Sequence, residues 1–370
     1  PMSLPVSTLD QAALRDLAAR LGLPAWRGTQ LHEAVWRPGA ASLDDVRTLP
    51  AAARSVLEAE VRFSTVQLAA ESEADGGATV KLLLGLAGGL TVETVAMETP
   101  AAAGRARRAT VCVSTQVGCA VGCPFCATGR AGLRRSCSAA EIVDQVRAAG
   151  AALHRRGLGP VTHAVYMGMG EPLANYDATV ASLRLLTGEA RISPRRITVS
   201  TSGVVPAIDR LAAEGLRVTL AISLHAADDA LRDRLVPLNR AHPIASLMAA
   251  GTGYAEATGR RISLEWCLIG GVNDSEEQAA GLRRLAHAAR AHVNVIPMNH
   301  VEGSPWGPPD EAATRRFLAG LRGVRTTVRD TRGAATEAAC GQLRASLEPR
   351  RALRSDGTLA PPRPAARPAR

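Results

Sequence analysis

Four of the chain's seven cysteines fall within the 15 residues CVSTQVGCAVGCPFC, from Cys112 to Cys126. Three of them, Cys119, Cys123 and Cys126, form C-x3-C-x2-C. Three soft thiolates in one tight loop can hold three irons of a 4Fe–4S cubane and leave the fourth iron open to a substrate. A structural zinc site would close with a fourth ligand at short spacing, and the nearest candidate, Cys137, stands eleven residues further on. On the cysteines alone, both readings stay open. Cys112 alternates with Val111 and Val113, which by itself describes a buried strand thiol. Cys340, among the small residues of GAATEAACGQL, reads by itself as filler, and Cys137 and Cys267 read as structural.

Other polar groups follow short apolar runs. Gly170 and Glu171 belong to GMGEP, where bare glycines let backbone approach a ligand and a carboxylate can hold an ammonium. Ser200 ends ITVS; Ser223, Leu224 and His225 close AISLH; Asn299 ends VNVIPMN. Glu93 in TVETV reads as a solvated strand carboxylate. Arg130, Arg134, Arg135, Arg195 and Arg196 flank the expected mouth and could meet phosphates.

The elements that must position these groups can be read from periodicity. Residues 1–60 carry helical spacing, opened by the Ser/Thr/Asp cap of STLDQAALRDLAARLGL, and form a helical accessory domain. Residues 61–98 switch to strand-like alternation with turns at DGG and AGG, a β-rich connector. From Thr110 short apolar runs alternate with amphipathic stretches such as SAAEIVDQVRAAGAALHRRG, as parallel βαβ units do. No G-x-G-x-x-G follows the first strand. The expected class is therefore α/β, an incomplete (β/α)6-type barrel over 99–345, with its chemistry at the carboxyl ends of the strands. Residues 346–370 are Pro/Arg/Ala-rich and are expected to be a disordered basic tail.

Composition bounds the setting. No apolar run approaches the ~18 residues that cross a bilayer, and no basic-then-apolar leader pattern opens the chain. The expectation is a soluble cytoplasmic monomer that uses no membrane, where clustered thiols serve as ligands or catalysts rather than disulfides. The formal net charge of +10 favours a polyanionic partner. Six basic residues against one acid in 350–370 supply half of that excess. Lys81 is the only lysine among 44 basic residues, so the arginine richness also reflects a compositional bias.

With Phe125 before its third cysteine, the triad resembles the radical S-adenosylmethionine (SAM) superfamily. GCAVGCPFCATG, VYMGMGEPLANYD, RRITVSTSGVVP, AISLHA, HVNVIPMN and AACGQL, in that order from about Glu93 to Leu343, resemble the RlmN family. WRGTQLHEAVW is similar, more weakly, to that family's accessory domain. The resemblance implies methylation of carbon-2 of an adenine in 23S rRNA and, in some members, in tRNA. It implies one 4Fe–4S cluster on Cys119, Cys123 and Cys126, and two SAM molecules per turnover, one as methyl donor and one as radical source. Cys340 matches the cysteine that is first methylated and whose methyl carbon, after hydrogen abstraction, adds to the adenine. Cys112 matches the cysteine that takes the ring proton and closes a disulfide with Cys340. Gly170, Glu171, Ser200, Ser223, Leu224, His225 and Asn299 match SAM contacts, and Glu93 matches a glutamate assigned as a general base. A flavodoxin or ferredoxin is the implied electron donor.

Two stretches depart from the family. RGAATEAACGQL has Thr336 where an apolar anchor is usual, and His300 follows Asn299 in place of proline. Both bear on the pose of the loop before Cys340. The alternatives are a Cfr-like carbon-8 methyltransferase that confers antibiotic resistance and a homologue acting on another RNA or a small molecule. A zinc-dependent RNA-binding protein explains the basic charge and the clustered thiols, but not Cys112 and Cys340 together.

Overall fold

The computed structural model describes residues 3–37, 39–102, 106–301, 304–329 and 341–343. Cys340, Thr336 and the tail 346–370 lie outside the described residues.

The chain opens with three helices, α1 (Gln11–Arg20), α2 (Trp26–Trp36) and α3 (Ala51–Glu60). Asp10 starts α1 by accepting the Ala13 N–H at 2.7 Å. Their apolar faces close on a cluster of their own that includes Leu14, Leu17, Leu31, Val35 and Leu57.

One ten-stranded sheet follows: β1 (Gln67–Ala74), β2 (Thr79–Gly85), β3 (Thr91–Thr99), β4 (Arg108–Cys112), β5 (His163–Tyr166), β6 (Ile197–Thr201), β7 (Thr219–Ser223), β8 (Ser263–Leu268), β9 (His292–Pro297) and β10 (Thr326–Val328). Spatial order repeats chain order throughout. β1 to β4 pair antiparallel and β4 to β10 parallel. Helices bridge every parallel pair: α4 (Ala127–Ala131) and α5 (Ala139–Arg155), then α6 (Tyr176–Gly188) and α7 (Val205–Ala213). After β7 come α8 (Asp229–Leu235) and α9 (Ile244–Thr258), then α10 (Glu276–Ala288) and α11 (Glu311–Gly320). An order that never reverses, with crossovers of one hand, lays these helices on one face and leaves the other for a site. The α/β class is as expected. Among the described residues no helix is long and apolar enough to cross a membrane.

The two faces divide the strand alternation. Val199, Leu220, Ile222, Leu264, Trp266 and Val295 are all fully buried in the main core. Trp266 lies 5.7 Å from the Phe317 ring of α11, which fixes this set as the helix-facing one. The alternate positions carry Thr198, Ser200, Ser223, Glu265 and Asn294. Register extends this second face across the sheet, because laterally paired residues point the same way. Ser223 pairs with Glu265 and Glu265 with Asn294. Cys112 pairs with Val165 and Val165 with Thr198, so Cys112 shares the polar face with Ser200 and Ser223. Val95 of β3 also pairs with Cys112, which puts Glu93 on this face beyond the carboxyl end of β4.

Candidate active site

Beyond β4 a short strand, Gln116–Gly118, pairs with Leu133–Ser136, and the cysteine loop is strung between them. Cys119 N–H donates to Gly132 O at 3.0 Å and Cys126 N–H to Cys123 O at 3.1 Å, and α4 begins directly after Cys126. Burial pushes the Cys119 thiol up to about 12, against the backbone N–H groups of Val121 and Gly122 that point at its sulfur. Burial, then the neighbouring Cys126 and Cys119, raise Cys123 well above the usual thiol range, while Arg232 opposes them. Bare thiolates here would be desolvated and mutually repulsive, and a bound iron–sulfur centre removes both costs. Among the described residues no three His, Cys, Asp or Glu side chains converge as a single-ion site requires. The fit therefore rests on three soft sulfurs in one half-buried loop and the N–H groups aimed at one of them.

Phe125 stands edge-on to His225, ring centroids 5.1 Å apart. His225 follows β7 at φ +60, an unusual conformation for a residue with a side chain. Its Nδ1 accepts the Cys267 N–H at 2.9 Å and its carbonyl accepts from Asn273 Nδ2 at 2.8 Å. Burial, helped by Arg232, pulls the imidazole down to about 3, so the neutral ring carries its proton on Nε2.

The GMGEP bend after β5 is stitched to the segment ahead of the cysteine loop. Met169 O accepts from Thr115 N at 2.8 Å and Gln116 N at 3.1 Å. A Cβ on Gly168 would lie 2.7 Å from Val113 O, and one on Gly170 (φ +100) 2.6 Å from Gln116 Cβ. These glycines are thus already required for one strand end to approach another. Glu171 is buried, and its carboxylate accepts from Leu173 N at 3.0 Å and Ser202 N at 2.6 Å. It braces the β5 bend against the end of β6.

An open cavity of about 850 Å³ lies at the carboxyl ends of the parallel strands. It brings together Cys126, Gly170, Glu171, Ser200, Ser223, His225 and Asn299 from the expected set. Leu224 is fully buried in the core instead, its N–H donating to Glu265 O at 3.1 Å. Cys112, 8% exposed, is on the polar face but does not line the cavity. Glu93 is not a solvated carboxylate: it is 2% exposed, and Lys81 Nζ stands 3.4 Å from its Oε1. It is flanked by paired strands rather than lying at a sheet edge.

Three further expectations change. Arg195 and Arg196 precede β6, so they lie at the amino ends of the parallel strands, away from the cavity. Arg130 is buried and Arg135 is held by both carboxylate oxygens of Glu141 at 2.8 Å, which leaves Arg134 as the exposed arginine of that group. Cys267 lines the cavity, whereas Cys137 is buried elsewhere. The cavity wall also contains Glu265, Met298 and Arg329. Glu265 was findable in principle, since a glutamate amid SLEWCLI is a polar residue in an otherwise apolar strand.

The chain returns to this place at its far end. Ala127 N donates to Gly341 O at 2.9 Å and Thr128 Oγ1 to Leu343 O at 2.6 Å. Gln342 Nε2 reaches His300 O at 2.8 Å, and Gly341 lines the cavity. Thus the residue next to Cys340 is bonded to the residue next to Cys126.

Comparison with known proteins agrees with this construction. The Radical SAM superfamily matches residues 113–282. A probable dual-specificity RNA methyltransferase RlmN of Parafrankia sp. is 46% identical over 92% of this chain and 91% of its own. One from Mycolicibacterium vanbaalenii is 45% identical over 91% and 93%. The crystal structure of a radical SAM methyltransferase from Sphaerobacter thermophilus superposes with a TM-score of 0.87 at 45% identity, covering 94% of this chain and 100% of that one. Full-length similarity at this level, over a fold whose strand ends carry the cysteine triad, shows that the chain belongs to the RlmN family of radical SAM methyltransferases.

Proposed function

We propose that this protein methylates carbon-2 of an adenine in 23S rRNA, and in tRNA, with Cys340 carrying the transferred carbon. The observation that carries this reading is the cavity shared by Cys126, the Gly170–Glu171 bend, Ser200, Ser223, His225, Asn299 and Gly341, the residue after Cys340. Cys119, Cys123 and Cys126 would hold the 4Fe–4S cluster, and the bend, the strand-end serines, His225 and Asn299 would hold SAM. Once bound, these groups supply one methyl for Cys340 and, from a second SAM cleaved by one electron, a radical. The rest falls to the chain. Carbon-2 of adenine is electron-poor and has no lone pair to attack a sulfonium, so the Cys340 sulfur must present the carbon to the ring. Cys112, on the polar face, then removes the ring proton and closes a disulfide with Cys340 as product leaves. Glu93, held beside Lys81, is a second base in reach of the same face.

Relatives named as RNA methyltransferases and the net charge of +10 support an RNA substrate. In the helical unit, Trp26 is 51% exposed with the Arg27 guanidinium 3.8 Å above its ring, a pair suited to stacking on unpaired bases. The protein would act as a cytoplasmic monomer supplied by a flavodoxin or ferredoxin. Mass spectrometry of nuclease-digested rRNA and tRNA, from cells with and without the gene, tests this. Loss of 2-methyladenosine on deletion is expected; 8-methyladenosine would identify the Cfr-type reaction, and unchanged nucleosides would overturn the assignment.

A further inference from the structure

Glu265 has an unusual environment for a residue 3% exposed. Its Oε1 accepts from Ser263 Oγ at 2.7 Å and from Asn294 Nδ2 at 2.8 Å. Asn294 is fixed in turn by His292 at 3.0 Å, and His292 meets Thr327 Oγ1 at 3.0 Å. The carboxylate therefore cannot swing. Its Oε2 is buried without a hydrogen-bond partner, and the residue lines the cavity. A carboxylate kept only for structure has both oxygens satisfied, so an orphan acceptor held rigidly at a cavity wall calls for a donor from a ligand.

Register says where that donor must be. Glu265 pairs laterally with Ser223, whose Oγ is 3.4 Å from Ser200 Oγ, so three polar side chains lie in a row across β6, β7 and β8. On one side of the row is the Gly170–Glu171 bend that follows β5; on the other are Ile296 and Pro297 of β9. SAM offers three kinds of donor: an α-ammonium, a vicinal ribose diol and the adenine amine. On the function proposed above, which this inference rests on, the ammonium belongs at the bend beside the cluster loop. The apolar wall suits the adenine face, and the diol falls between them.

We infer that Glu265 is the acceptor for the ribose hydroxyls of SAM, with Ser263 and Asn294 as the residues that aim it. A hydrogen bond to a charged acceptor, lost with one oxygen left in place, predicts about 10- to 100-fold weaker binding.

The test is equilibrium dialysis of radiolabelled SAM against cluster-loaded protein, with iron content measured alongside. Glu265→Gln is expected to weaken SAM by that factor at unchanged iron. The 2′-deoxy and 3′-deoxy analogues should bind the wild type more weakly than SAM, and should lose little further affinity in Glu265→Gln. Wild-type affinity in the variant, or a deoxy penalty that persists undiminished in it, would overturn the assignment of Glu265. Should the variant not fold, the wild-type comparison decides: equal affinity for SAM and both deoxy analogues overturns the inference. A cluster-loaded wild type that binds no SAM at all would instead sink the function on which the inference rests.

Discussion

Replacing Arg232 removes the clamp across the ends of β6 and β7. The residue is fully buried. It donates to Leu224 O at 3.0 Å, Asn239 Oδ1 at 2.8 Å, Ser202 O at 2.8 Å and Ser223 O at 3.0 Å. Burial pulls the guanidinium from 12.5 down to about 10 although Cys123, Asp229 and Asp233 pull the other way, a net cost of about 3 kcal/mol. Hydrogen bonds from a charged donor return about 1.5–3 kcal/mol each, so the clamp is a net gain. Arg232→Met preserves much of the volume and removes that cost, yet it strands four buried acceptors. The expected loss is about 3–5 kcal/mol, as for breaking a buried charged network by one partner. Arg232→Lys keeps the charge but not the planar fork, and should recover less than half of the loss. Urea unfolding of the cluster-free protein measures both, as a shift in midpoint at constant m-value. A methionine variant that unfolds at the wild-type midpoint would refute the reasoning.

The remaining predictions concern single side chains. Cys340→Ala should abolish methyl transfer while the purified protein retains its iron; wild-type methyl yield would remove Cys340 from the chemistry. Cys112→Ala should accumulate protein crosslinked to RNA, visible as a nuclease-sensitive shift on a denaturing gel, and clean turnover would count against its role. His225 stays neutral in the fold down to about 3, whereas the unfolded chain protonates near 6.5. Proton uptake therefore favours unfolding as pH falls between those values, and stability should drop by about 2 kcal/mol from pH 7 to 5. His225→Gln should flatten that decline in cluster-free protein; an identical slope would show that another group causes it.

The strands were legible because their alternation is strict, and the cysteine loop because its spacing is short and local. What the alternation could not tell was which side faces water. In ITVST, TLAIS, SLEWCL and HVNVIP the polar set turns toward the cavity and the apolar set toward the helices. Period two alone is compatible with polar residues facing bulk solvent, so Glu93 read as solvated and Cys267 as structural. Only the pairing of Val95 with Cys112 and of Leu83 with Glu93 shows that β3 is flanked on both sides. Arg195 and Arg196 were misplaced for a related reason: charge near a strand says nothing about which end of it the arginines occupy. Arg232 could not be anticipated, because its four acceptors include three main-chain carbonyls brought together by the crossovers.

The bonds from Ala127 and Thr128 to Gly341 and Leu343 join segments separated by 215 residues at the Thr128–Leu343 contact. Synthesis proceeds from the other end, so the three-thiol loop leaves the ribosome long before the stretch that seals it. Until residues 341–343 emerge, a nascent chain shows that flank of the loop uncovered. Iron delivered early meets an unsealed basin, which Gly341 and Leu343 later shut.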